Sequence, residues 1–291
     1  EIQWVDGFED VLNSYLKREN VDVYVTGSNS RFLSKDVATI FRGRSSEVRM
    51  HPLGFAEFLS AFPGADTQMA LREYMLYGGL PQTVTMQFSV EKEDYLRGLL
   101  TSTYVRDIVE RHTVRDEADL EELLGVMASN IGCLVSPSRL GNTFRSVKGS
   151  ALSSEKVSRY LSLMEDAFLI ERAVRYDVKG NRYIDTPSKY YFEDLGVRNA
   201  RLNFRQMEEG HLMENLIYNE LRRRGLSVDV GQVQSYSKNA EGKTQRSVLE
   251  VDFVCNQGYR RHYIQSALEM PTAEKIRQEK QSLLKIKDNF P

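Results

Sequence analysis

An apolar run, Val21, Val23, Tyr24 and Val25, stops abruptly in Thr26, Gly27, Ser28, Asn29 and Ser30. A strand that ends in glycine and small hydroxyls is how an α/β sheet presents polar groups at its carboxyl edge, where ligands bind. The pattern predicts a buried strand over 21–25 and a ligand-facing rim at Thr26, Ser28 and Asn29. Other chemistry-bearing types are scattered. The four histidines lack ligand spacing and give no metal cage. Cys133 and Cys255 stand far apart without a C-x-x-C partner, which fits a reducing compartment. Gly242-Lys243-Thr244 has the ending of a phosphate-binding loop, but Ser237 stands where its first glycine belongs. The strand-like SVLEVDFV follows it instead of a helix, so the triplet reads as a hairpin turn.

The whole chain bounds these readings. With 291 residues it holds two or three domains. Hydrophobic residues at 41% and charged residues at 27% are ordinary for a globular protein. A net charge of −2 provides no global field for nucleic acid, so any such binding needs a local basic patch. No apolar run reaches membrane-spanning length and no signal peptide is visible. The expectation is a cytoplasmic protein with no membrane partner.

Around the first run, FEDVLNSYLKREN reads as a helix that Asp6 could cap, 31–41 as a second helix and 47–52 as a short strand. The chain opens on the acidic tripeptide Glu1-Ile2-Gln3, and Gly43-Arg44, Pro52-Leu53 and Phe55-Ala56-Glu57-Phe58 follow in order. This series resembles the second half of an AAA-type P-loop ATPase core. The matching group is archaeal and bacterial, with an ATPase core followed by a C-terminal domain of unknown function. Its Walker B strand ends D-E-I-Q, its sensor strand reads T-G-S-N/S-S, and a G-R element precedes P-L and an F-x-E-F helix. The resemblance implies a water-orienting carboxylate at Glu1 and a γ-phosphate sensor at Ser28 or Asn29. It also implies a charge-neutralising arginine at Arg42 or Arg44. It implies ATP and Mg2+ as cofactors of the intact protein. The Walker A loop would precede Glu1, so this fragment alone is expected neither to bind ATP tightly nor to hydrolyse it.

Residues 62–98 read as a helical lid, with ALREYMLY stopped by Gly78-Gly79 and Pro81. Helices follow at TSTYVRDIVERH, at DEADLEELLGVMASNIG with Asp116 as cap, and at SRLGNTFRSVKG with Pro137 in its first position. SEKVSRYLSLMEDAFLI is capped by Ser153 or Ser154, and strands follow at 169–176 and 182–191. Three helices and a two-stranded wing form a winged helix-turn-helix pattern over 99–188. Arg139, Arg145, Lys148, Lys156, Arg159, Lys179 and Arg182 could track phosphates on DNA. Glu155, Glu165 and Asp166 dilute that face, which equally suits a protein-docking module.

Over 189–291 the order is helix (EGHLMENLIYNELRRRG), three strands, and a closing helix capped by Thr272. With Glu214 on the helix, Glu250 and Asp252 on the second strand and Gln265 on the third, this resembles the PD-(D/E)XK nuclease fold. That chemistry holds magnesium on carboxylates and uses a third-strand lysine to assist the attacking water. Here Gln265-Ser266-Ala267 puts Ala267 at the lysine position, so a degenerate, non-cleaving domain is expected. The resemblance also implies a further strand after the closing helix.

The expected architecture is multidomain α/β: ATPase-core segment 1–61, lid 62–98, winged helix 99–188, nuclease-like domain 189–291. The expected function is that of an AAA-type ATP-binding protein whose C-terminal domains bind DNA or a protein. The alternatives are a non-enzymatic DNA-binding or adaptor module, and a magnesium-dependent nuclease using Glu214, Glu250 and Asp252.

Overall fold

The computed structural model describes residues 5–27, 46–148, 152–180, 182–238 and 244–286, without the side chains of 147–148 and 237–238. After α1 (Phe8–Tyr15) come α2 (Phe55–Ser60), α3 (Thr67–Tyr77), α4 (Pro81–Thr85) and α5 (Ser89–Leu99). A π-helical turn at Leu100–Val105 joins α5 directly to α6 (Arg106–His112), so one helical rod crosses the lid boundary expected at 98. Next are α7 (Glu117–Ser129), α8 (Pro137–Lys148), α9 (Ser154–Asp166), β1 (Ile170–Asp177) and β2 (Arg182–Phe192). The chain continues through α10 (Leu195–Arg201), α11 (Glu209–Arg223), β3 (Ser227–Lys238), β4 (Thr244–Gln257), β5 (Arg260–Ile264) and α12 (Ala273–Leu284). The class is the mixed α/β one expected.

The five strands form one sheet in the order β2-β1-β3-β4-β5. Only β1 with β3 is parallel; the other pairs are antiparallel. The two strands expected as a wing are therefore continuous, through β1, with the strands of the last segment. α11 covers one face of the sheet, burying Tyr191, Tyr218, Val230 and Phe253 together. α12 lies on the other, where Leu283 packs on Val233, Val251 and Val254. Burial on both faces explains why β4 reads as the unbroken run VDFVC rather than an alternating one. A larger core joins Leu96 and Ile108 of the helical rod to Leu123, Val157, Met164 and Ile170.

Several local signals act as read. Pro137 opens α8, and the hydroxyls of Ser153 and Thr272 accept from the backbone N–H groups of Lys156 and Lys275. Two caps do not. Gly7 in the left-handed conformation, not Asp6, precedes α1. Asp116 makes no capping bond, because its carboxylate is turned to Lys156 at 2.6 Å.

Neither strand expected in the first segment forms. Among the described residues, 21–27 pair with nothing as a strand, and Tyr24 is 90% exposed. A β-prone run becomes a strand only beside a partner strand, and the described residues place none there. Residues 46–54 have strand-like alternation, with Val48 and Met50 outward, but no ladder. Side chains and single backbone bonds hold this stretch to the body instead. Arg49 pairs with Glu193 and, at 3.2 Å, with Glu171. His51 lies 3.6 Å from Glu193, and Leu53 N–H donates to Gly79 O at 2.8 Å. Tyr74 O–H donates to Leu53 O at 2.7 Å, and Glu57 lies 3.6 Å from Arg223.

Candidate functional site

The acidic residues of the last segment do converge, and a lysine from elsewhere stands among them. Glu214 comes from α11, whose Leu212, Asn215, Tyr218 and Leu221 form its buried stripe. Asn215 fixes the helix to β2: its Oδ1 accepts from Phe192 N at 2.7 Å and its Nδ2 donates to Phe192 O at 2.8 Å. That clamp sets Glu214 over the β2 residues that alternate onto the same face, Lys189 and Tyr191. Glu250 and Asp252, two apart on β4, share a face in the same way. Lys189 Nζ lies 2.9 Å from Glu214 Oε1, 2.6 Å from Glu250 Oε1 and 4.0 Å from Asp252 Oδ1. Tyr191 O–H donates to Glu214 Oε1 at 2.6 Å, and Ser266 N–H donates to Asp252 Oδ2 at 2.7 Å. A cleft of about 450 Å³ opens beside the cluster, lined by Glu208, His211, Glu214, Asp252, Gln265 and Glu279 among others.

The electrostatics follow from burial. Desolvation alone would lower the Lys189 pKa, but Glu214 and Glu250 outweigh it and hold the ammonium protonated above the ordinary lysine range. Burial pushes Asp252 up to about 6, and repulsion from Glu214 adds to the shift. Ser266 N–H and Lys189 oppose it. Gln265 lies just beyond β5 rather than within it and turns to α12, 3.4 Å from both Glu279 and Ser282.

The nuclease resemblance implies magnesium here, and the donor set does not fit it. An ammonium already bridges Glu214 and Glu250, and among the described residues no three His, Cys, Asp or Glu are placed to hold a metal.

Of the ATPase residues, Glu1, Ser28, Asn29, Arg42 and Arg44 lie outside the described residues. Thr26 is exposed in irregular chain. The basic set is not one free surface. Lys156 is held by Asp116 at 2.6 Å and Asp119 at 2.5 Å, and Arg159 donates to His112 O at 3.2 Å. Two of the proposed phosphate contacts are thus engaged inside the helical region. Arg139, Arg145, Lys179 and Arg182 are exposed, although Arg182 lies 3.4 Å from Asp177. The side chain of Lys148 is outside the described set.

Sequence reasoning missed Lys189, Tyr191, Asp194 and Arg198. For Lys189 a signal existed: a lysine inside the run SKYYF is buried only with a partner. The partner could not be read, because it sits on a helix and on a strand that only the sheet brings near.

Comparison with known proteins places this geometry in context. Residues 1–59 match the family described as "AAA domain", and residues 68–208 match "Domain of unknown function (DUF8612)". A Haemophilus influenzae protein named "Uncharacterized protein" is 36% identical over 295 residues, covering 100% of this chain and 69% of its own length. The chain belongs to that protein's family. A second relative, "Uncharacterized protein MJ1544" of Methanocaldococcus jannaschii, is 29% identical over 299 residues, covering 99% of this chain and 64% of its own length. No solved structure matches. The first segment of this family member therefore carries an AAA-type P-loop ATPase relationship. No described helix is long and apolar enough to cross a membrane.

Proposed function

We propose that this chain is part of an ATP-binding protein of the AAA type whose segment 1–61 works on a C-terminal body that binds DNA or a protein without cutting it. The observation that carries the reading is the fastening of 49–57, at the end of the AAA-matching segment, onto the body. Arg49 meets both Glu171 and Glu193, Leu53 meets Gly79, and Glu57 meets Arg223. A displacement on the nucleotide side would pull on β1, on the Gly78-Gly79 turn and on α11 together. By resemblance, Glu1 orients water, Ser28 or Asn29 senses the γ-phosphate and Arg42 or Arg44 offsets developing charge.

Three measurements on the full-length protein test this. A fluorescent ATP analogue binds in the micromolar range; no binding removes the ATPase reading. Arg49→Ala with Glu57→Ala leaves ATP affinity intact and cuts the effect of ATP on partner binding at least about fivefold, the lower end of typical coupling. Unchanged coupling removes the role of 49–57. Arg139→Glu with Arg145→Glu then separates the two partner classes. Loss of DNA retention supports DNA at this surface, unchanged retention moves the DNA contact elsewhere, and no retention by the unaltered protein favours a protein partner.

A further inference from the structure

We propose that the ammonium of Lys189 is the resident cation of the Glu214–Glu250–Asp252 cluster, which takes no divalent metal until that ammonium is removed. The geometry argues this in three ways. First, Nζ stands 2.9 Å and 2.6 Å from one oxygen each of Glu214 and Glu250, where an ion bridging them would have to be. Second, one oxygen of each carboxylate already has a close partner. Glu214 Oε1 accepts from both Lys189 and Tyr191, which fills its two acceptor sites, and its Oε2 lies against Gly132. One Asp252 oxygen is held by Ser266 N–H. Third, the lysine cannot easily withdraw. Its side chain is 4% exposed, and it stands on a strand fixed to β1 on one side and to α11 through Asn215.

Magnesium demands near-octahedral oxygen ligands at about 2.1 Å and gives up its water reluctantly. Here it would have to evict a buried ammonium from two carboxylates and leave that charge unpaired, which is strongly unfavourable. A nuclease lysine has the opposite arrangement, beside carboxylates that remain free to hold the metal. Lys189 comes from β2, not from the chain just beyond β5 where Ala267 stands, and it consumes the carboxylates instead of assisting them.

The test is Mn2+ titration by calorimetry and thermal melting, on the whole chain, with Lys189→Ala, Asp252→Asn and the two combined. The wild type shows no Mn2+ binding that Asp252→Asn removes. Lys189→Ala acquires such binding, its melting temperature rises by a few degrees on adding Mn2+, and both gains vanish in the combined variant. Three results overturn the proposal. One is wild-type Mn2+ binding that Asp252→Asn abolishes. Another is magnesium-dependent plasmid cutting lost with Lys189→Ala, which makes Lys189 a nuclease lysine carried on another strand. The third is a folded Lys189→Ala protein indifferent to Mn2+. Should Lys189→Ala not fold, Lys189→Ala with Glu214→Gln buries one charge fewer and keeps Glu250 and Asp252. A Mn2+-dependent rise in its melting temperature supports the proposal, and no rise counts against it.

Discussion

Asp194 is buried against four backbone N–H groups, those of Gly79, Leu80, Gly196 and Val197, with Gly79 at 2.8 Å and Val197 at 3.0 Å. Burial nevertheless dominates and pushes its pKa up to about 6. A carboxyl raised above its unfolded value of 3.8 binds more protons in the folded state between these limits. Its contribution to stability is therefore greatest below about pH 4, falls as pH rises to about 6 and is flat above. The span corresponds to about 3 kcal/mol. Asp194→Asn removes that slope and leaves a buried N–H group poorly paired, a loss of about 1–3 kcal/mol at neutral pH. Urea unfolding across a pH series checks both parts: the gap between wild type and variant widens as pH is lowered from about 6.5 to 4.5. Lys156 makes a second residue-scale case. Its partly exposed pairs with Asp116 and Asp119 are worth about 1 kcal/mol, so Lys156→Glu should lower stability as well as any DNA retention. A loss of retention by that variant alone therefore does not identify a phosphate contact.

The Gly78-Gly79 turn shows what one short element demands. Gly78 has φ of +76°, and a Cβ there would meet the Asp194 carboxylate at 2.2 Å. A Cβ on Gly79 would meet Leu53 O at 2.2 Å. Gly79→Ala must push the 49–57 stretch off the body or break the Asp194 clamp. The expected loss is roughly 2–4 kcal/mol, combining overpacking with a lost buried bond, and a melting curve reads it directly. The sequence disclosed this turn as a helix stop, because Gly-Gly before Pro is a local signal. It did not disclose the packing, because Asp194 lies 115 residues away. The same division runs through the chain. Caps at Ser153 and Thr272 and the apolar run of β4 depend on neighbours in sequence, so they were legible. Lys189 at the carboxylates, and the failure of 21–25 to pair, depend on which strands lie alongside, which no local pattern states. The resemblance named Glu214, Glu250 and Asp252 together, and the structure sets all three within 4.0 Å of the Lys189 ammonium. It gave no lysine, because its lysine position is Ala267, beyond the end of β5, whereas the lysine beside these carboxylates comes from β2.

Long-range bonds tie the molecule across every boundary that element order suggests. Asn199 Nδ2 donates to Met75 O at 2.9 Å and to Leu76 O at 2.8 Å, closing the end of α3 from α10. The buried Arg198 donates to Ala128 O at 2.8 Å, and its guanidinium also meets Glu208 at the rim of the acidic cleft. The rod through α5 and α6 carries Leu96 and Leu100 into the same core as Ile170 and Phe192. A piece starting at residue 99 would cut that rod and leave the α10 side chains without partners. It is expected to give exposed apolar surface and no sharp melting transition, whereas 46–286 should unfold in one step; differential scanning calorimetry of the two distinguishes them. One consequence concerns behaviour in concentrated solution. The VDVYV stretch, with Asp22 and Tyr24 exposed, is rich in β-branched valine, carries a single charge and lies in no strand. Self-association by strand addition should set in there first, so replacing the 90% exposed Tyr24, as Tyr24→Lys, ought to reduce light scattering at high protein concentration while leaving the melting temperature where it was.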